Sequence, residues 1–147
     1  MQIKASISKA SITALNNKLK QMEKNIDVAK KEVAETEVLD AKQRITFGKI
    51  DPDGRAWAPW RISTMRQRIR ERNVARGLLY RTGRLLNSIK SRISGNKITI
   101  YTNTEYAGYL QRGTTKMRPR EILGFGQRSI DRIKQRLKGA LLKWLLN

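Results

Sequence analysis

The sequence predicts an α+β fold, and three patterns support that class. From Ile12 to Val33 the apolar residues recur at alternating steps of three and four, the spacing that lines one face of a helix. Residues 97–101 alternate polar and apolar side chains directly after Gly95-Asn96, which is typical of a β-hairpin. The three-and-four spacing returns from Ile130 to Trp144. We therefore expect a long N-terminal helix, a small antiparallel sheet with this hairpin, and an amphipathic C-terminal helix packed against the sheet.

The composition predicts a folded core with a strongly basic surface. Of the 147 residues, 39% are hydrophobic and 30% are charged, which is enough apolar surface for a globular domain. Lys and Arg total 32 against 12 Asp and Glu, so the formal net charge is +20. Residues 51–147 hold 22 of the basic side chains and six of the acidic ones. Such a surface attracts polyanions, which include nucleic acid, anionic membranes and acidic proteins.

The residue types present argue against catalysis and metal binding. The chain has no cysteine and no histidine, which removes thiolate ligands, the usual general base and the commonest metal ligand. Asp51 and Asp53 begin like a calcium loop, but Arg55 and Ile62 stand where that loop needs oxygen ligands. No apolar run approaches the roughly 20 residues of a membrane span. We expect no catalytic residue, no metal, no cofactor and no membrane partner, although a Ser–Lys nucleophile stays open from sequence.

The first element is a helix from about residue 9 to 44, because no proline or glycine precedes Gly48. Ser8 and Ser11 are both suitable N-caps. We expect Arg44–Phe47 to be the end of this helix rather than a short strand. Two uses of its apolar stripe stay open: packing along its own domain, or association with a neighbouring subunit.

The tract Asp51–Trp60 divides the chain, since it holds two of the three prolines and two of the three tryptophans. Pro52 and Gly54 give it turn chemistry, because proline presets φ and glycine accepts φ > 0. Everything before it is expected to be helix. We accordingly predict an N-terminal helical arm at 1–46 and a compact basic α+β domain at 47–147.

A second helix is predicted to open at Ser63, where Thr64 and Gln67 have the spacing of a capping box. It carries four arginines, and only Glu71 opposes them. These arginines and the basic run after Gly113 are our candidates for polyanion contact, with a merely solvated face as the open alternative. The candidates are Arg66, Arg68, Arg70, Arg72, Lys116, Arg118 and Arg120.

Between the second helix and the C-terminal helix, the sequence predicts only short elements. The apolar spacing of residues 85–89 predicts a short helix, and residues 105–112 predict another that Gly113 ends as a C-cap. Residues 114–120 should be extended, because a proline bars helix there. The last helix should begin near Ser129.

Three pieces of the chain form a set. The first is the proline-glycine turn with tryptophan at 51–60, and the second is Thr82-Gly83-Arg84-Leu85 with Ser88-Ile89. The third is Tyr-Ala-Gly-Tyr-Leu-Gln-Arg-Gly at 106–113, followed by Arg120 and Leu123-Gly124. In this order they resemble the phage virion morphogenesis family, the tail completion proteins of contractile-tailed phages and prophages, over roughly residues 40–147. The motif residues are Pro52, Gly54, Trp57, Pro59, Trp60, Thr82, Gly83, Leu85, Tyr106, Ala107, Gln111, Gly113, Arg120, Leu123 and Gly124.

Two positions depart from the family's pattern. Relatives often have a histidine where Leu110 stands, before the glutamine of the third piece. They often read Pro-Ala-Arg-Pro where this chain has Arg118-Pro119-Arg120-Glu121. Detailed contacts at Leu110 and Pro119 are therefore not carried over, whereas the order of the pieces is unaffected.

The resemblance implies a structural part of a virion: a neck or tail-terminus subunit that assembles in the host cytoplasm into a ring where tail meets head. Other neck and tail proteins would be its partners, with non-specific contact to packaged DNA, and no chemistry is expected. In this reading Trp57, Trp60, Tyr106 and Tyr109 pack the core or a subunit interface.

The alternative is a basic nucleic-acid-binding protein without enzymatic activity, which the net charge favours although no recognition motif is present. A concentration-dependent ring in solution would favour the virion role. Salt-sensitive DNA binding by a monomer would favour the alternative.

Overall fold

A computed structural model describes residues 8–72 and 78–145, and it confirms the α+β class. A long N-terminal helix, a two-stranded antiparallel hairpin and a C-terminal helix are all present, as the sequence predicted. The elements in chain order are α1 (Lys9–Gln43), α2 (Ile62–Arg70), α3 (Arg84–Ser88), β1 (Lys90–Ser94), β2 (Lys97–Tyr101), α4 (Ala107–Arg112) and α5 (Gln127–Leu145).

Helix α1 agrees with its prediction at both ends. Ser8 is the N-cap, and its Oγ accepts a hydrogen bond from the backbone N–H of Ser11 at 3.1 Å. The 35 residues span about 50 Å at about 1.5 Å per residue. A π-helical turn, Arg44–Gly48, ends the helix, and Lys49 follows in the left-handed region with φ 51°. The segment before Gly48 is therefore the helix end, as expected.

The hairpin has the predicted loop and the predicted faces. Ile93 pairs with Ile98, so Gly95 and Asn96 form a two-residue loop in which Gly95 has φ 55°. Ile98 and Ile100 are half-buried, whereas the alternate side chains of β2 are exposed. Ile100 also packs against the core. The inner face of β2 therefore carries Ile98 and Ile100, and its alternate residues form the outer face.

Helix α1 is the element on which the rest of the fold packs, because both the hairpin and α5 contact it. Its buried face includes Ala29, Ala34 and Ala41, whose small side chains let two neighbours approach closely. The expectation that the sheet packs mainly against α5 is therefore wrong, and α1 is its main partner. Apolar periodicity shows that a face is buried but does not show which element covers it.

Helix α5 runs antiparallel along α1. Near one end Arg132 Nη2 lies 3.0 Å from Oε1 of Glu37, which is only 3% exposed. Near the other end Trp144 donates from Nε1 to the Lys18 carbonyl at 2.8 Å. Burial alone would lower the pKa of Arg132, but the hydrogen bond and charge of Glu37, with the charge of Asp40, more than offset this and raise it. Arg132 is thus held in its charged form.

The N-terminal end of α1 is covered little by this packing, although the Lys18 carbonyl accepts the hydrogen bond from Trp144. Residues 8–21 are all exposed, and Ile12, Leu15 and Leu19 among them are 49%, 57% and 40% exposed. The predicted apolar stripe becomes buried only at Ala29. Packing within the domain therefore accounts for the second half of the stripe, and the first half remains exposed.

The core draws on every piece of the predicted motif set. Trp57 comes from the turn tract, Leu85 from the second piece and Ala107 from the third. The chain after Arg120 adds a residue that is almost fully enclosed. The full cluster is Ala41, Ile45, Trp57, Leu85, Ile89, Ala107 and Ile122.

Two local predictions are wrong. Helix α2 begins at Ile62 with Arg61 as its N-cap residue and no side-chain cap, so Thr64 lies within the first turn and cannot serve as the cap. Gln67 donates to the Glu71 carboxylate at 2.9 Å instead. In the segment expected to be extended, residues 114–117 form a turn, in which Thr114 and Met117 exchange two backbone hydrogen bonds at 2.8 and 3.1 Å. Within the described ranges no helix is both long and apolar enough to span a bilayer.

Candidate partner-binding site

The turn in the first piece is closed by Asp51. Its backbone N–H donates to the Arg55 carbonyl at 2.9 Å, and its Oδ1 accepts from the Arg55 N–H at 2.8 Å. Its carbonyl accepts from the N–H of Gly54, whose φ of 87° favours glycine. The Asp51 carboxylate therefore serves the turn. Among the described residues no group of three or more His, Cys, Asp or Glu could hold a metal ion.

The turn that contains Pro52 packs closely against the segment before α5, which contains Gly124 and Gly126. A Cβ on Gly126 would overlap the carbonyl oxygen of Pro52, and one on Gly124 would lie 2.9 Å from Pro52 Cγ. The first motif piece therefore contacts the end of the third, because Gly124 and Gly126 have no side chain that would collide with Pro52. The sequence marked Gly124 as a motif residue but not Gly126, because a close approach between distant backbones leaves no local pattern.

Gln111 of α4 fixes the chain that follows Arg120. Its Oε1 accepts from the backbone N–H groups of Ile122 at 2.9 Å and Leu123 at 3.1 Å. Its Nε2 donates to the Leu123 carbonyl at 2.7 Å. One side-chain amide thus satisfies three backbone groups next to the buried Ile122. In this fold the glutamine of the third piece is a structural anchor.

We expect Gln111→Ala to lower the free energy of unfolding by about 2 kcal/mol, because it leaves three backbone groups without their partner. Urea denaturation followed by circular dichroism measures the change. Gln135→Ala is the matched control, since Gln135 lies exposed on α5 and should stay within about 0.5 kcal/mol of the wild type. Equal midpoints for the two variants would contradict the anchoring role.

Arg120 ties the third piece to the first. Its guanidinium donates to the Ala58 carbonyl from Nε at 3.3 Å and from Nη2 at 3.0 Å, and Nη2 also lies 3.3 Å from the Pro59 carbonyl oxygen. Its backbone N–H donates to the Leu110 carbonyl at 2.7 Å. Burial lowers the pKa of Arg120 below its ordinary value. Arg120 therefore has a structural role, because it links the segment after α4 to the first motif piece. Any contact with an anion would be an additional role.

The second piece contains a backbone position that suits glycine. Gly83 is buried with φ 78°, and a Cβ there would lie 3.0 Å from Tyr80 Oη. Thr82 Oγ1 accepts from the backbone N–H of Arg84 at 3.4 Å, next to the start of α3. This turn directs Leu85, which is 2% exposed, into the core.

The aromatic residues of the motif set fall into different environments. Trp57 is a core residue, and Trp60 is half-buried. Tyr106 and Tyr109 are 41% and 60% exposed, so they do not pack the core of the described chain. Their use at a subunit interface stays a prediction.

A cleft of about 900 Å³, which we call the basic cleft, lies beside Arg120. Its walls are residues 58–61, helix α2, residues 78–84 and residues 116–120. Leu79 and Leu110 line it and also pack against the core. No acidic residue of the described chain lines it. Its basic residues are Arg61, Arg68, Arg81, Arg84, Lys116, Arg118 and Arg120.

The predicted polyanion contacts divide into two groups. Four of them line the basic cleft: Arg68, Lys116, Arg118 and Arg120. Three are exposed but lie outside it: Arg66, Arg70 and Arg72. The sequence missed three further arginines of the cleft, Arg61, Arg81 and Arg84. Arg61 and Arg81 flank the first and second motif pieces and Arg84 lies within the second, and only folding brings these pieces together.

Trp60 holds α2 at the edge of the basic cleft. Its Nε1 donates to the Leu78 carbonyl at 2.9 Å. The guanidinium carbon of Arg68 lies 5.5 Å from the centroid of the Trp60 ring, a cation–π contact. Arg68 Nη1 also donates to the Tyr80 carbonyl at 3.1 Å. These contacts connect α2, which buries no residue of its own, to the segment that follows residue 77.

Comparison with known proteins gives one match. A family model described as the phage virion morphogenesis family covers residues 8–142, from the first turn of α1 to the last turns of α5. No curated protein and no solved structure matches the chain. All three motif pieces and both long helices lie within the matched range, which indicates a part in building the phage particle. The chain belongs to the phage virion morphogenesis family.

Proposed function

We propose that the protein is a structural virion component that completes the tail and joins it to the head, as part of a ring at the neck or tail terminus. The observation that carries the proposal is the use of the motif side chains. Gln111 and Arg120 bond main-chain groups, and Trp57 fills the core. Residues used in this way build a subunit with a fixed shape, which supports a structural role rather than an enzymatic one.

The exposed half of α1 supports assembly with neighbours. Ile12, Leu15 and Leu19 form an apolar stripe that the subunit's own described residues leave exposed. In a ring the exposed part of the predicted arm at 1–46 would lie against the next subunit, while the second half of α1 stays packed with its own body at 47–147. Other neck and tail proteins would be the remaining partners.

Contact with packaged DNA would use the exposed arginines on α2 and directly after it. Arg66, Arg70 and Arg72 lie outside the basic cleft, where they can reach a broad polyanion. Such contact is non-specific, because these side chains would meet phosphates rather than base edges.

Deletion of the gene from a phage or prophage that carries it tests the proposal. We expect DNA-filled heads and separate tails in electron micrographs, and few joined particles. Supply of the full chain from a plasmid should restore joined, infectious virions, and cryo-EM of the restored particles should show the protein at the neck. Deletion particles with normally attached tails would contradict the proposed role.

The net charge of +20 also favours a second candidate, a nucleic-acid-binding protein that acts outside the virion. In that case the purified protein would stay monomeric and bind duplex DNA with an affinity that falls steeply with salt. Analytical ultracentrifugation with and without duplex separates the two, since the virion role requires concentration-dependent assembly.

A further inference from the structure

We propose that the basic cleft is a docking site for an extended acidic segment of a partner protein, in which apolar side chains stand among the carboxylates. The cleft is concave and walled by four parts of the chain, so it suits a narrow polypeptide. The inference rests on the proposed function only for the identity of the partner, which would be a neighbouring virion protein. Binding itself can be measured on the isolated chain.

Most of the positive charge of the cleft is left uncompensated by the described residues, although Arg81 pairs with the Glu71 carboxylate at 3.1 Å. In the part of the chain that the structure describes, no salt bridge involves Arg61, Arg84, Lys116 or Arg118. Their side chains are exposed, and they come from three of the walls of the cleft. Positive charges arranged around one concavity repel each other until anions enter, so carboxylates from a partner complement them.

The floor of the cleft adds a second requirement. Leu79, Leu110 and Met117 line it together with the half-buried Trp60. A purely charged chain would leave these apolar surfaces in water. A segment that alternates acidic and apolar residues would cover them and gain from the burial.

A nucleic acid fits this cleft less well. Single strands gain affinity by stacking bases on aromatic side chains. The ring of Trp60 already carries the Arg68 guanidinium 5.5 Å from its centroid, and its Nε1 is bonded to the Leu78 carbonyl. A duplex is too broad to enter a cleft of about 900 Å³ and would touch only its rim. Tyr106 also lines the cleft and is 41% exposed, but one free ring offers a single stacking surface rather than a series of them. The observations therefore favour a peptide.

Fluorescence anisotropy with labelled probes tests the proposal at an ionic strength of about 0.15 M, where non-specific attraction is screened. The main probe is the peptide Glu-Leu-Asp-Phe-Glu-Leu-Asp. Its neutral counterpart, Gln-Leu-Asn-Phe-Gln-Leu-Asn, keeps the apolar side chains, and a short oligothymidylate represents a single strand. We expect the acidic peptide to bind measurably more tightly than either of the others.

Two double variants separate the cleft from the general charge of the surface. The cleft variant is Arg84→Glu with Arg118→Glu. The control is Arg66→Glu with Arg70→Glu, which changes the net charge by the same amount on exposed positions outside the cleft. We expect the cleft variant to weaken binding of the acidic peptide about tenfold, and the control to weaken it by less than about threefold. Matching melting temperatures show that both variants are folded.

Four results would overturn the proposal. Equal weakening by the two variants would mean diffuse electrostatic attraction. Equal binding of the neutral peptide would mean that charge is not recognised. Tighter binding of the oligothymidylate, lost in the cleft variant, would make the cleft a nucleic-acid site. If the acidic peptide did not bind at all, the proposed docking site would be wrong. The proposed role in tail joining would not be affected, because the gene deletion tests it separately.

Discussion

Replacement of Trp57 by alanine should destabilise the protein by about 3–5 kcal/mol, the range for truncating a large buried aromatic side chain. Trp57 is only 7% exposed, and it lies in the core cluster with Ile45, Leu85 and Ile122. Its backbone N–H donates to the Lys49 carbonyl at 2.8 Å, so the ring enters the core from a fixed backbone. For a chain of this size the loss corresponds to a fall in melting temperature of roughly 10–15 °C.

Two controls separate packing from other effects of the change. Trp57→Phe keeps an aromatic ring and gives up no hydrogen bond, since the buried Nε1 has no partner in the described chain, so it should lose far less than Trp57→Ala. Tyr109→Ala removes an aromatic ring that is 60% exposed, and it should stay within about 0.5 kcal/mol of the wild type. Thermal unfolding at one protein concentration measures all three. An unchanged melting temperature for Trp57→Ala would show that the turn serves external contacts instead.

The parts of the fold that the sequence predicted correctly are those with a local pattern. The three-and-four spacing from Ile12 gave a helix whose observed limits, Lys9–Gln43, agree with prediction, and Ser8 caps it. The alternation after Gly95-Asn96 gave the hairpin, in which Ile93 pairs with Ile98. Gly113 ends α4 as a C-cap residue with φ 74°. Each of these depends on neighbours within a few residues.

The predictions that failed required contacts between distant segments or a choice among local hydrogen bonds. No periodicity could show that the hairpin packs on α1 rather than on α5. The capping box of α2 did not form because the helix begins two residues before Thr64, and Gln67 bonds to Glu71 in the next turn. At the candidate site Arg118 was recognised within a basic run, but Arg61 and Arg84 were not, since they become neighbours only when the first and second motif pieces come together.

Replacement of Gly126 by alanine should destabilise the fold by about 3 kcal/mol, although it adds a single methyl group. The added Cβ would overlap the carbonyl oxygen of Pro52 and lie 2.6 Å from its carbonyl carbon. Both are backbone atoms, so no side chain can rotate away to make room. The Pro52 turn is itself held by the hydrogen bonds of Asp51, and Gly126 accepts at 3.1 Å from Ile130 in the first turn of α5. Relief of the overlap must therefore displace either the turn or the start of α5.

Gly139→Ala is the control that isolates this steric effect, because it makes the same chemical change in the same C-terminal segment. Gly139 lies within α5, and a Cβ there would meet nothing within 4 Å. Alanine in a helix interior is favoured over glycine by roughly 0.5–1 kcal/mol, so this variant should be slightly more stable than the wild type. Thermal unfolding should place the Gly126→Ala midpoint about 10 °C below the wild type and the Gly139→Ala midpoint slightly above it. If both variants shifted upward, the close approach between the turn and the segment before α5 would be wrong, and with it the geometry that joins the first motif piece to the third.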